Sequence, residues 1–104
     1  MVARVTRFRG PPDRMEEGVR LFREQVIPWL QDSTGFRGWV VLVDRENEKA
    51  MGITFWATEE AAAANEAIGG ALRDEVAASV GAMMESLELY EVAVVESLSL
   101  DEAL

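Results

Sequence analysis

An α+β fold with the element order βαββαβ is what this sequence predicts, and three observations predict it. Four segments carry strand patterns, either alternating apolar and polar residues or running apolar through their middle. Two longer segments between them repeat apolar residues at helical spacing. The second and third strands are separated by only the polar turn Asp44-Arg45-Glu46-Asn47-Glu48-Lys49, too short for a crossover, so they pair as an antiparallel hairpin. Right-handed crossovers then give a ferredoxin-like, four-stranded antiparallel sheet with both helices on one face.

Val2 to Arg9 reads as the first strand, ended by Gly10-Pro11-Pro12. Asp13-Arg14-Met15-Glu16 has the form of a capping box and opens an amphipathic helix of about five turns. Met15, Val19, Phe22, Val26 and Trp29 or Leu30 form its apolar stripe, and Pro28 is expected to kink its last turn. On the outer face Arg20 stands four residues from both Glu16 and Glu24. Ser33-Thr34-Gly35 closes this helix. Phe36 to Asp44 is the second strand, and its run Val40-Val41-Leu42-Val43 predicts cover on both faces. Ala50 to Ala57 is the third strand. Thr58 then caps a second helix whose Glu59 and Glu60 suit the positive end of the dipole. Ala64, Ile68, Leu72, Val76, Val80 and Met84 recur every fourth residue along it, and Gly69-Gly70 in its middle predicts a break or a close backbone approach. Gly81 ends the helix, and Leu87 to Glu96 is the fourth strand. The domain thus spans residues 1–96, followed by an acidic tail at 97–104.

Composition excludes several classes of function. The chain has 104 residues, 49% of them hydrophobic, enough for one domain with a core. A net charge of −9, from 19 acids against 10 bases, argues against nucleic acid as a partner. No apolar run reaches the length of a membrane span and no signal peptide is evident, so the expected location is the cytoplasm, without a membrane partner. The chain has no cysteine and no histidine. Disulfides, thiolate nucleophiles, histidine-based triads and the usual zinc and iron sites are therefore removed together. Glu59-Glu60 and Asp101-Glu102 read as solvated carboxylates, so no metal and no cofactor are expected.

With both helices on one face, the other face of the sheet needs a partner. A second copy of the chain is the simplest one, and two such sheets close into a dimeric α/β barrel. Two short motifs in this topology, Gly35-Phe36-Arg37-Gly38 and Trp56-Ala57-Thr58-Glu59-Glu60-Ala61, resemble the antibiotic biosynthesis monooxygenase-like domains, a superfamily of dimeric α/β barrels, over nearly all of residues 1–96. The resemblance implies a cofactor-independent monooxygenase acting on small aromatic, polyketide-like substrates. A non-catalytic small-ligand-binding or structural dimerisation module is the alternative. In the haem-degrading members the second helix supplies a tryptophan and a histidine ligand; the corresponding places here look like Asn65 and Glu75, which disfavours haem degradation.

The cleft candidates are Trp56, Asn65, Ile68, Arg4, Tyr90 and Glu91, with no catalytic residue assigned. Trp56 either lines a ligand cleft or is a core aromatic whose indole N–H finds a local acceptor. Arg4 or Arg7 either offers paired donors to an anionic ligand group or forms an ion pair with Glu88 or Glu91. Glu91 is a candidate general base if it is buried, and Tyr90 offers a phenolic donor or simply packs. Trp29 reads first as a helix-end aromatic packed under a loop, with a cleft mouth as its alternative, and Trp39 as a dimer-interface or core residue, with a substrate stacker as its alternative.

Overall fold

The computed structural model describes residues 1–96; the tail predicted at 97–104 lies outside the described residues. β1 (Val2–Arg9) leads through a 3-10 turn (Pro12–Arg14) into α1 (Met15–Leu21), a π-helical turn (Phe22–Val26) and α2 (Ile27–Gln31). β2 (Phe36–Asp44) and β3 (Lys49–Trp56) form the hairpin, and α3 (Glu59–Ser79) and β4 (Met83–Glu91) complete the order. The strands lie β2-β3-β1-β4, all neighbours antiparallel, which is the predicted ferredoxin-like topology.

Register decides what each face carries. Arg4 stands opposite Thr54 on β3 and Leu89 on β4, with Val2 opposite Trp56 and Glu91. Alternation then puts Val2, Arg4, Thr6, Thr54 and Trp56 under the helices, and Ala3, Val5, Arg7, Ile53, Phe55 and Tyr90 on the far side. The core lies under the helices: Val2 and Trp56 from the sheet meet Val26, Ile27 and Leu30 from the first helical layer and Ala62 and Val76 from α3. Phe36 meets Trp56 edge-on at 5.4 Å, and Trp39 packs on Phe22 at 5.6 Å. Among the described residues no helix lies over the far face, and Leu42 there is 51% exposed. The cover predicted on both sides of Val40 to Val43 is thus incomplete within one chain, and Val43, on the helix side of an edge strand, is also exposed.

Several local expectations are corrected. The Asp13 capping box does not form: α1 starts at Met15 without a side-chain cap, and Arg14 instead pairs with Glu17 at 3.1 Å. The preceding 3-10 turn, which follows Pro11 at φ −63° and has Pro12 at its first position, already takes up the entry to the helix. The Pro28 effect is a π-helical turn before the proline in place of a kink at Trp29. Ile27 N–H bonds back five residues to the Phe22 carbonyl, widening the turn just where Pro28 lacks an N–H.

α3 runs unbroken through Gly69-Gly70, capped by the Thr58 hydroxyl accepting from Ala61 N–H at 3.1 Å. Close approach is what the glycines serve: a Cβ on Gly69 would come within 3.0 Å of Trp29 Cζ3. β4 begins at Met83 because Gly81, at φ +72°, turns the chain directly after the helix. It ends at Glu91, not Glu96, because β1 has no further backbone to offer; Val92 N–H donates to the Met1 carbonyl at 3.0 Å as the last such bond.

Candidate functional site

α3 turns an unusual stripe toward the sheet. Its buried residues are Ala62, Asn65, Gly69, Gly70, Arg73 and Val76, so the middle of the stripe is polar or lacks a side chain. A residue repeated every fourth position advances about 400° per step, drifting some 40° around the helix each time. The predicted Ala64-to-Met84 stripe therefore winds off the buried face at its N-terminal end, and Ile68 is 58% exposed while Val76 and Val80 remain buried. Ile68 is corrected as a cleft residue for that reason.

Two adjoining cavities lie between this stripe, the first helical layer and the sheet. The larger, about 100 Å³, is an apolar chamber bounded by Met15, Phe22, Val76 and Val80 against Phe8 and Gly52. The smaller, about 30 Å³, is a polar recess lined by Arg4, Thr6, Thr54, Asn65 and Arg73. Phe8, Phe22, Gly52 and Arg73 border both, so the two adjoin across shared walls, the cleft being apolar at one end and polar at the other. Gly52 on β3 leaves space that a larger side chain would fill, while Gly69 on α3 lets Asn65 and Trp29 pack against its backbone.

The polar end is tightly wired. Asn65 Nδ2 donates to Ser33 Oγ at 3.0 Å, and the Ser33 hydroxyl donates its one proton to the Trp29 carbonyl at 3.2 Å. Ser33 must therefore accept from Asn65, which fixes the amide with its nitrogen toward Ser33. The other amide atom, Asn65 Oδ1, is buried and has no partner among the described residues. Arg4 and Arg73, 8% and 9% exposed, reach the recess from β1 and α3. Both hold Glu66: Arg4 Nη1 lies 3.1 Å from Glu66 Oε2, and Arg73 Nη2 lies 2.9 Å from Glu66 Oε1. Arg4 also donates to the Ala62 carbonyl and sits over the Trp56 ring at 5.7 Å. Burial pulls the Arg4 guanidinium below its ordinary value, Glu66 pushes it back up, and the like charge of Arg73 adds to the lowering.

The cleft brings together two of the predicted residues, Arg4 and Asn65. Trp56 supports it from beneath: fully buried, it borders neither cavity, and its indole N–H donates to Thr54 Oγ1 at 3.0 Å, orienting a hydroxyl that does line the recess. Tyr90 is placed apart, on the far face of the sheet, where its hydroxyl donates to Glu88 at 2.6 Å and Arg7 holds the same carboxylate at 3.1 Å. Glu91 is exposed on the edge strand, so the burial that a general base role requires is absent. Edge position explains both corrections, since β4 has a neighbour on one side only. Glu75 is likewise exposed.

Sequence reasoning missed Thr6, Thr54, Glu66 and Arg73. The signal was present in the spacing of Ala62, Asn65, Gly69, Arg73 and Val76, which keeps one helix face, and in the two-turn separation of Glu66 and Arg73. Among the described residues no helix is long and apolar enough to cross a membrane.

Comparison with solved structures places this architecture. SnoaB, a cofactor-independent oxygenase from Streptomyces nogalater, superposes with a TM-score of 0.69 at 21% identity over 90% of this chain and 94% of its own. MhuD, a haem degrader from Mycobacterium tuberculosis with two haems bound in its active site, gives 0.69 at 23% identity over 93% and 100%. A protein described as an antibiotic biosynthesis monooxygenase gives 0.65 at 15% identity over 90% and 100%. The chain has the antibiotic biosynthesis monooxygenase-like fold. No family model matches the sequence, and no curated protein matches it. The fold resemblance drawn from Gly35-Phe36-Arg37-Gly38 and the Trp56-to-Ala61 junction therefore holds at the level of structure.

Proposed function

We propose that this protein binds a small aromatic molecule in the cleft between α3 and the sheet and oxygenates it without a cofactor, working as a homodimer. The observation that carries the reading is Asn65 Oδ1, a buried acceptor without a partner at the polar end of an apolar chamber. A buried acceptor left unpaired costs about 1–3 kcal/mol, and a ligand hydroxyl donating to it relieves that cost on binding. The chamber of about 100 Å³ is of the order of an engineered cavity that admits benzene. Its opening to solvent leaves room for a second ring or substituents.

The residues in the cleft limit the chemistry. An amide oxygen accepts a hydrogen bond but does not remove a proton at neutral pH, and the Glu66 oxygens are occupied by ion pairs with Arg4 and Arg73. A substrate oxygenated here carries two hydroxyls, as a dihydroxynaphthalene does: one donates to Asn65, and the other loses its proton to water. The ring carbon of that phenolate then adds oxygen, the resulting peroxide anion takes up a proton, and loss of water leaves a quinone; both electrons used to cleave the O–O bond come from the substrate. SnoaB, described as a cofactor-independent oxygenase, supports this reading at the level of the fold.

The lack of a free base in the cleft among the described residues favours a second reading, a binding module without catalysis. One experiment separates them: oxygen uptake with a dihydroxynaphthalene, corrected for autoxidation, by wild type and by Asn65→Ala. The oxygenase reading expects uptake above background that falls at least tenfold in the variant. Binding without uptake selects the non-catalytic reading.

A further inference from the structure

Two buried cations line the polar recess, in a protein whose net charge is −9. Arg4 and Arg73 come from different elements, are each at least nine-tenths buried, and converge on Glu66, which lines neither cavity and whose side chain is 36% exposed. Asp74 takes the Nε of Arg73 at 3.1 Å from outside, its own side chain 56% exposed, and does not line either cavity. Among the described residues Arg4 has no second carboxylate: its other partners are the Ala62 carbonyl and the face of Trp56.

We propose that the recess is a carboxylate site, so that the preferred ligand is an aromatic acid whose carboxylate displaces Glu66 from Arg4 and Arg73. This rests on the reading of the cleft as an aromatic-ligand site and specifies the ligand's class. Glu66 already shows that one carboxylate fits both guanidinium groups, at 3.1 and 2.9 Å. Its partial exposure gives it somewhere to go: a freed Glu66 swings into water, whereas neither arginine, anchored on β1 and the inner face of α3, leaves with it. Arg73 lines both the recess and the chamber, so an acid group on the guanidinium places its ring among Phe22, Val76 and Gly52. Thr6 and Thr54 add hydroxyls at the same end. Glu66 is thus an internal competitor that keeps two buried charges paired until an anionic ligand arrives.

Isothermal titration of 1-naphthoate and 1-naphthol against wild type and Glu66→Gln tests this. The expected result is that naphthoate binds wild type more tightly than naphthol. Glu66→Gln then strengthens naphthoate about tenfold or more, the scale of one charge-assisted hydrogen bond, and leaves naphthol unchanged. If naphthol binds while naphthoate binds wild type no better, the carboxylate site is overturned and the aromatic cleft stands. If neither ligand binds, both are overturned. The wild-type comparison decides even if the variant is unstable, and Arg4→Met, which removes one guanidinium, then abolishes the preference for naphthoate.

Discussion

Tyr90 is the one tyrosine of the chain, and its hydroxyl donates to Glu88 Oε2 at 2.6 Å while Arg7 holds Oε1 at 3.1 Å. The bond to Glu88 raises the Tyr90 phenol above its ordinary value and, from the other side, the bonds from Tyr90 and then Arg7 lower Glu88. Neutral phenol and ionised carboxylate are the paired forms. Their contribution is therefore present near neutral pH, lost as pH rises through the raised Tyr90 value, and lost as pH falls through the lowered Glu88 value. An absorbance titration at alkaline pH reads this residue alone: its midpoint lies above that of a free tyrosine and drops back in Glu88→Gln. At Gly69, an added methyl would come within 3.0 Å of Trp29 Cζ3 and closer still to the Asn65 amide. Gly69→Ala is expected to lose about 1–3 kcal/mol in denaturant melts by overpacking, despite alanine's better helix propensity. Arg4 was legible as a charge inside a strand, and Asn65 by its place on the second helix; Tyr90 and Glu91 misled because alternation gives a face, not whether that face is covered.

The helices show where periodicity informs and where it drifts. The first three strands, the Thr58 cap and the polar turn before β3 appear within a residue of where the sequence puts them, because each depends on neighbours a few residues away, whereas β4 starts four residues before the expected Leu87. The inner face of α3 was not legible, since a repeat of four fits a helix only over two or three turns, and its buried stripe is polar at Asn65 and Arg73. The π-helical turn was hidden for another reason: Pro28 announces a missing N–H but not how the preceding turn absorbs it. The link from α2 to β2 is sharply constrained. Gly35 sits at φ +84°, its carbonyl accepts from Ala57 N–H at 2.7 Å, and an added Cβ would meet Ala61 Cβ at 2.6 Å. Gly35→Ala is expected to cost at least about 1–2 kcal/mol from the left-handed backbone alone, read as a lowered melting temperature, and to shift amide signals of both β2 and the start of α3.

At the level of the whole molecule, the sheet is finished on one face only. Leu42 and Tyr90 stand exposed on the other, and Val94 and Val95, 78% and 65% exposed, follow β4 without a strand partner among the described residues. The inferred homodimer covers this face, and light scattering is expected to give twice the 11.5 kDa chain mass, falling to one in Leu42→Asp. Topology was legible in the sequence because element order and short connections leave few alternatives; the cleft was not, because its walls come from residues as far apart as Arg4 and Arg73. The most direct test of a small aromatic ligand held by Asn65 is a crystal structure of the protein soaked with 1-naphthol. The predicted result is a ring in the chamber beside Met15 and Val76 with its hydroxyl within hydrogen-bond distance of Asn65 Oδ1. A chamber that stays empty under saturating ligand, or a ring bound only on the far face of the sheet, contradicts it.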